Sequence, residues 1–370
     1  MAREKIPSVE LPAPRANPHL FGHAGVEQRF VDEFSRGTTH HAYLITGPRG
    51  IGKATLAYRM ARFALGQGVA APAEAPSLSL FGNAPEVPSP AAASLQMDPE
   101  SQLFRRVASG AHSDLRTLEP GDETKKPIIS VEAARKIPEF LSLTPAEGAW
   151  RVVVIDAADQ LNANAANALL KTIEEPPPRA LLLLVSHEPG KLLPTIRSRC
   201  RHYPLQPPDT DAFAATLQQL APSIAPNDYA PLYALSYGSP GYAMTLHQAN
   251  GIDWYLRWLA AMQPTATHEA RQSFADSASA QKSVEGWDAV LHGWRVAMHR
   301  LMLHPHPQLA ISPREAALIA AIMATTTPRA VAEWRDKGNT LLQQTDTFNL
   351  DKRLSIRLLT DPSQLDRLAA

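Results

Sequence analysis

A chain of 370 residues exceeds what one hydrophobic core normally organises and predicts two or three domains. Its 36 basic and 36 acidic side chains cancel, which argues against a free-standing nucleic-acid binder, because such proteins take their grip from a basic excess. The single cysteine, Cys200, excludes an internal disulfide and a multi-cysteine zinc cluster and fits a reducing cytoplasm. There is no run of about 18 apolar residues that would span a membrane.

In chain order, residues 1–17 carry Pro7, Pro12 and Pro14 without the apolar centre of a secretory signal, and read as a flexible tail. Val26, Phe30 and Phe34 predict a helix that ends near Gly37. Ala42 to Thr46 reads as a buried parallel strand running into a glycine-rich loop, and Lys53 to Leu65 as the following helix, with Gly66 as its cap. From about 67 to 100 the composition turns to Ala, Pro and Ser, a loosely held spacer. Regular structure resumes with a strand over 114–118, a helix over 130–141, a strand over 151–155, a helix over 161–175 stopped by Pro176-Pro177-Pro178, and strands over 180–185 and 202–205. Strands alternating with helices predict an α/β fold with a parallel sheet covered on both faces. After Pro207-Pro208 the pattern is helical throughout. Asp209 is a predicted N-cap, and helices are expected over 209–220, 231–237, after 238–241, and over 254–262, 287–303, 313–323 and 329–342.

Gly47-Pro-Arg-Gly50-Ile-Gly52-Lys53-Ala54 has the form of a phosphate-binding loop between strand and helix. The glycines let backbone N–H groups converge on phosphate, and Lys53 supplies a point charge. The hydroxyl that would ligate magnesium is replaced by Ala54. Thr55 is no simple substitute, because one residue along a helix turns the side chain by about 100°. At the end of the third strand, Asp156 could orient a magnesium-bound water, but Ala157 follows where a hydrolytic NTPase of this kind carries a glutamate base. Such a loss costs roughly 10²–10⁴ in rate. Asp159 is expected to be a surface carboxylate opening the next helix. Weak or structural binding of ATP or ADP and an empty site both remain open from the residues alone, and intrinsic hydrolysis is expected to be slow or absent.

Two further stretches carry information. Leu161-Asn-Ala-Asn-Ala-Ala-Asn-Ala-Leu-Leu-Lys-Thr-Ile-Glu-Glu-Pro-Pro177 is one. Thr195-Ile-Arg-Ser198-Arg199-Cys200 is the other, where a planar, permanently charged arginine could meet phosphate oxygens. With the phosphate loop and Gly238-Ser239-Pro240-Gly241, these resemble the delta-prime family of clamp-loader subunits of bacterial DNA polymerase III, in the AAA+ superfamily. The resemblance covers residues 18–246, and the later helices match only in general character. It implies an AAA+ core over 18–205, a helical lid over 206–250 and a helical collar over 251–370 that drives hetero-oligomer assembly. It also implies a stator that presents Arg199 to the ATP site of an adjacent motor subunit, within a complex that loads a sliding clamp on primed DNA. Ser186 falls at the family's first nucleotide sensor, and Tyr242 stands where the motors keep an arginine. The implied partners are tau/gamma motor and delta subunits, with clamp and primer-template DNA met through the complex, in a bacterial cytoplasm at the replisome. Without the motors' cysteine quartet, zinc is not expected.

Competing readings are an active tau/gamma-type motor, a metabolic P-loop kinase, and a purely structural scaffold in which Arg199 is chemically idle. Residues Ala54, Ala157 and Tyr242 speak against the motor, and the Ser-Arg-Cys segment is unexplained in a kinase. His304-Pro305-His306, Arg105-Arg106 and Lys125-Lys126 are expected to be ordinary surface residues, and the tryptophans to be helix core or subunit interface rather than a base-stacking platform.

Overall fold

The structure, a computed structural model, describes residues 12–67, 94–120, 129–147, 150–303 and 310–366. The tail before residue 12, most of the spacer, Lys125-Lys126 and His304-Pro305-His306 lie outside the described residues. The chain forms two compact units that meet in sequence between Pro207 and Pro208.

The first unit is α/β. Five strands, β1 (Ala42–Thr46), β2 (Leu115–Leu118), β3 (Arg151–Ile155), β4 (Ala180–Ser186) and β5 (Arg201–Pro204), form one sheet in the order β2-β3-β4-β1-β5. Every pairing is parallel. Side chains alternate across the pleat, so one strand feeds two cores. Tyr43, Ile45, Val152, Val154, Leu181 and Leu183 pack under helices α1 (Ala24–Ser35) and α2 (Lys53–Gly66). Leu44, Val153, Ile155, Leu182 and Leu184 pack under α4 (Val131–Ser142) and α5 (Ala163–Glu174). A short helix α3 (Gln102–Ala108), not expected from the sequence, precedes β2, and one turn, α6 (Pro194–Arg197), precedes β5. The caps are local: Ser130 accepts from the Ala133 N–H at 3.1 Å and Asn162 from the Ala165 N–H at 2.8 Å.

Two expected loose segments are partly anchored. Arg62, buried in α2, donates to the carbonyls of Arg15 (2.9 Å) and Asn17 (3.1 Å), so residues 15–17 are held against the core instead of trailing as a tail. Its guanidinium also lies 4.5 Å from the Phe104 ring. At the other end of the spacer, Leu95 is buried in the core with α2, so the spacer ends before residue 100.

The second unit is all helix: α7 (Thr210–Leu220), α8 (Tyr229–Leu235), α9 (Pro240–Gln248), α10 (Gly251–Ala261), α11 (His268–Ser279), α12 (Val284–Met302), α13 (Pro313–Met323), α14 (Pro328–Phe348), α15 (Lys352–Leu359) and α16 (Pro362–Asp366). Helices on both sides of Gly251 share one buried cluster running from Phe213 to Leu359. Trp258 and Trp294 are fully buried in it, and Trp254 and Trp334 nearly so, which makes these four core residues. A Cβ on Gly338 would stand 2.3 Å from Trp294 Cζ2, so glycine in α14 permits the close approach to α12. Glu315 of α13 is fully buried, and its carboxylate accepts from three groups: the Tyr255 hydroxyl, the Arg300 guanidinium and the Ile311 N–H (2.6 Å); its own N–H donates to the N-cap Ser312 Oγ.

Candidate functional site

Parallel strands deliver their carboxyl ends to one edge of the sheet, where a ligand crevice can form. Thr46 of β1 lies opposite Ser186 of β4, and β3 ends beside β4 at Ile155. The glycine loop, Asp156 and Ser186, expected from the sequence to share a site, are therefore on adjacent strands at the same edge.

The loop adopts the backbone its glycines allow. Gly47, Gly50 and Gly52 have φ of 146°, 74° and 99°. Side chains at two of them are also blocked: a Cβ on Gly47 would stand 2.8 Å from the Leu205 carbonyl oxygen, and one on Gly52 2.5 Å from Leu20 Cδ1. Lys53 opens α2 but turns back into the loop, where Nζ donates to the carbonyls of Gly47 (2.8 Å) and Pro48 (2.6 Å). Only 3% of it is exposed, and burial pushes its pKa down to about 8 against the opposing pull of Asp156 and Asp159. Thr55 is buried in the first turn of α2.

Burial, and then the neighbouring Glu119, push the Asp156 carboxyl above its ordinary range, with Lys53 opposing. Ala157 takes a left-handed conformation, φ 60°, uncommon for a residue with a Cβ. Asp159 is not the surface carboxylate expected. It sits in the 3₁₀ turn Ala158–Gln160 and accepts from the His187 N–H at 2.8 Å. Burial alone would raise its pKa, but this backbone bond helps hold it below the ordinary value. Asp159 thereby ties the end of β3 to the end of β4. Ser186 is fully buried, and its hydroxyl helps hold the Asp159 carboxyl below its ordinary value. His187 went unnoticed in the sequence. Burial, then the positive charges of Lys53 and Arg49, push its imidazole down to about 4, so it stands neutral beside the loop.

Lys53 offers a direct check. Its lowered folded pKa means that between about pH 8 and the unfolded value near 10.5 the unfolded chain holds a proton that the folded chain has lost. Stability contributed by this group therefore rises with pH across that window, by at most about 1.4 kcal/mol per pH unit. Urea titrations of the wild type and Lys53→Met at pH 8 to 10 should diverge in that direction; parallel profiles would show that Lys53 carries its charge unhindered.

Arg199 lies at the opposite edge. Tyr43 is in register with Arg201, so Arg199 precedes the start of β5 level with the amino end of β1, whereas the glycine loop begins at that strand's carboxyl end. Five residues at roughly 3.3 Å each separate the two by about 16 Å, beyond the reach of any arginine side chain. Arg199 Nε pairs with Glu174 Oε1 at 3.0 Å, and Nη1 donates to the Thr195 carbonyl (3.1 Å) and to Ser198 Oγ (3.4 Å). Both side chains of the ion pair are about two-fifths exposed, where such pairs contribute about 0–1 kcal/mol. Cys200 beside it is buried, and its thiol is pushed up to about 12 by burial, so it is inert.

In the helical unit, Tyr242 lies in the first turn of α9, where its N–H donates to Ser239 Oγ at 3.4 Å. Its ring stands edge-on to His292, centroids 4.8 Å apart. Burial lowers the His292 imidazole to about 4 although Nε2 lies 2.5 Å from the Leu235 carbonyl. Arg105 and Arg106 are paired with Glu100 and Glu147. Among the described residues no cluster of three or more His, Cys, Asp or Glu is placed to hold a metal ion, and no helix is long and apolar enough to cross a membrane.

Residues 89–209 match the family model described as DNA polymerase III, delta subunit. The chain is 38% identical over 207 residues to the DNA polymerase III subunit delta' of Pseudomonas aeruginosa, covering 56% of each chain. It is 32% identical over 230 residues to that of Escherichia coli, covering 62% of this chain and 60% of the relative. The DNA polymerase III subunit tau of Escherichia coli is 28% identical over 207 residues, which are 56% of this chain and 28% of that one. The chain thus spans somewhat more than half the length of the delta' relatives it matches.

Proposed function

The chain is a homologue of bacterial DNA polymerase III delta-prime subunits over somewhat more than half its length, and from that premise we propose that it is the stator of a clamp loader. It joins tau/gamma motor subunits and a delta subunit, and through the complex it meets the sliding clamp and primed DNA in the bacterial cytoplasm. Residues 206–250 act as lid and 251–370 as collar, the latter supplying the assembly contacts. ATP is hydrolysed at a neighbouring subunit, to which Arg199 offers its charge in trans.

The observation that carries this reading is the placement of Arg199 and the glycine loop at opposite ends of β1 and β5. An arginine that cannot reach its own loop is placed as one that serves another chain's triphosphate would be. The chain's own site supports the same division of labour. Ala54 offers magnesium no hydroxyl, Ala157 no base, and Lys53 is already engaged by two loop carbonyls. Any nucleotide held there, ATP or ADP, is structural and bound without a protein hydroxyl on magnesium.

Purified alone, the chain should turn over no ATP above background with magnesium, whereas a complex reconstituted with its motor subunits should hydrolyse it. Brisk turnover by the lone chain would sink the stator reading and favour a motor.

A further inference from the structure

Glu174 ends α5, the helix carrying the Ala163–Glu174 stretch, and it stands where local physics disfavours it. The carboxyl terminus of a helix carries partial negative charge and prefers a cation; Lys171 in the last turn supplies one, yet two glutamates, Glu174 and Glu175, follow it and close the helix. A residue that breaks a local rule without a stability gain points to a site. Its partner is Arg199, 3.0 Å away, in a pair too exposed to add much to folding.

The contact geometry shows what the pair accomplishes. Arg199 Nε is paired with Glu174, and Nη1 donates to the Thr195 carbonyl and Ser198 Oγ. A flexible side chain is thereby fixed on two of its three nitrogens. Pre-orientation of this kind lowers the cost of meeting a phosphate oxygen only when the phosphate arrives. We propose that Glu174 is a positioning residue for Arg199, holding the guanidinium by its Nε edge in the orientation that meets the triphosphate site of the neighbouring subunit. This rests on the trans-arginine reading above.

The test uses the complex reconstituted from full-length subunits, with assembly checked by gel filtration and ATPase measured against ATP concentration. Glu174→Ala should lower kcat about 5- to 20-fold, with KM for ATP changed less than twofold and the melting temperature of the free subunit unmoved. Glu174→Asp should recover part of the loss. Glu174→Ala combined with Arg199→Ala should be no worse than Arg199→Ala alone, because the glutamate acts through the arginine. Wild-type kcat in Glu174→Ala alongside a crippled Arg199→Ala overturns the positioning role and leaves the trans-arginine reading standing. A rise in kcat overturns it too, by marking the pair as a restraint. Wild-type kcat in both variants overturns the reading on which it rests.

Discussion

Replacing Arg199 with alanine should leave the complex assembled and cut ATP hydrolysis at the site it completes by about 10³ or more, the lower range for arginines supplied in trans. The change is expected to be almost purely chemical. Arg199 is about two-fifths exposed and its pair with Glu174 stabilises the fold by less than about 1 kcal/mol, so the free subunit should melt where the wild type does. Arg199→Lys should rescue little, since an ammonium is a point charge without the planar fork that contacts two oxygens together. Single-turnover hydrolysis by the reconstituted complex gives the number. A rate within twofold of wild type would reduce the chain to a scaffold.

The second large effect is on stability. Glu315→Ala should cost the helical unit about 3–5 kcal/mol, the usual penalty for removing one member of a buried ion pair. The carboxylate is fully buried and receives bonds from the Tyr255 hydroxyl, the Arg300 guanidinium and the Ile311 N–H at 2.6 Å, so its loss strands groups on α10 and α12 as well as the loop before α13. Urea unfolding should show the midpoint falling accordingly. Glu315→Leu combined with Arg300→Met should recover most of the loss, because two apolar groups need no partner. A loss below about 1 kcal/mol in the single variant would show that water replaces the carboxylate.

The centre of the sheet was legible because β1, β3 and β4 are short, nearly continuous apolar runs; β3 and β4 fall within one residue of expectation. Helices were less so where alanine does the packing. In α11 only Phe274, Ala275 and Ala278 are buried, too little apolar contrast to mark a periodic face. The last turns of α14 escaped notice for a related reason: they read as Gln-Gln-Thr-Asp-Thr, yet Thr345 is buried with its hydroxyl 2.7 Å from Ser355 Oγ. At the site, glycines and Lys53 announced a loop, but no pattern in the sequence joins His187 to Asp159 or Glu174 to Arg199. Those pairs arise only when β4 lies beside β3 and α5 ends near the turn before β5. The wrong-signed helix end at Glu174 was the one clue available beforehand.

The separation of Arg199 from the glycine loop along β1 also dictates symmetry. A two-fold dimer joined through the amino edges would set arginine against arginine and leave both charges without a triphosphate. In the proposed stator reading, a head-to-tail contact, one chain's amino edge on the next chain's carboxyl edge, would let the guanidinium be used. Repeated, such contacts build a ring or an open arc. If its own carboxyl edge hydrolyses nothing, as proposed, the subunit would give an arginine at one face while asking for none at the other, which would suit it to the end of a row.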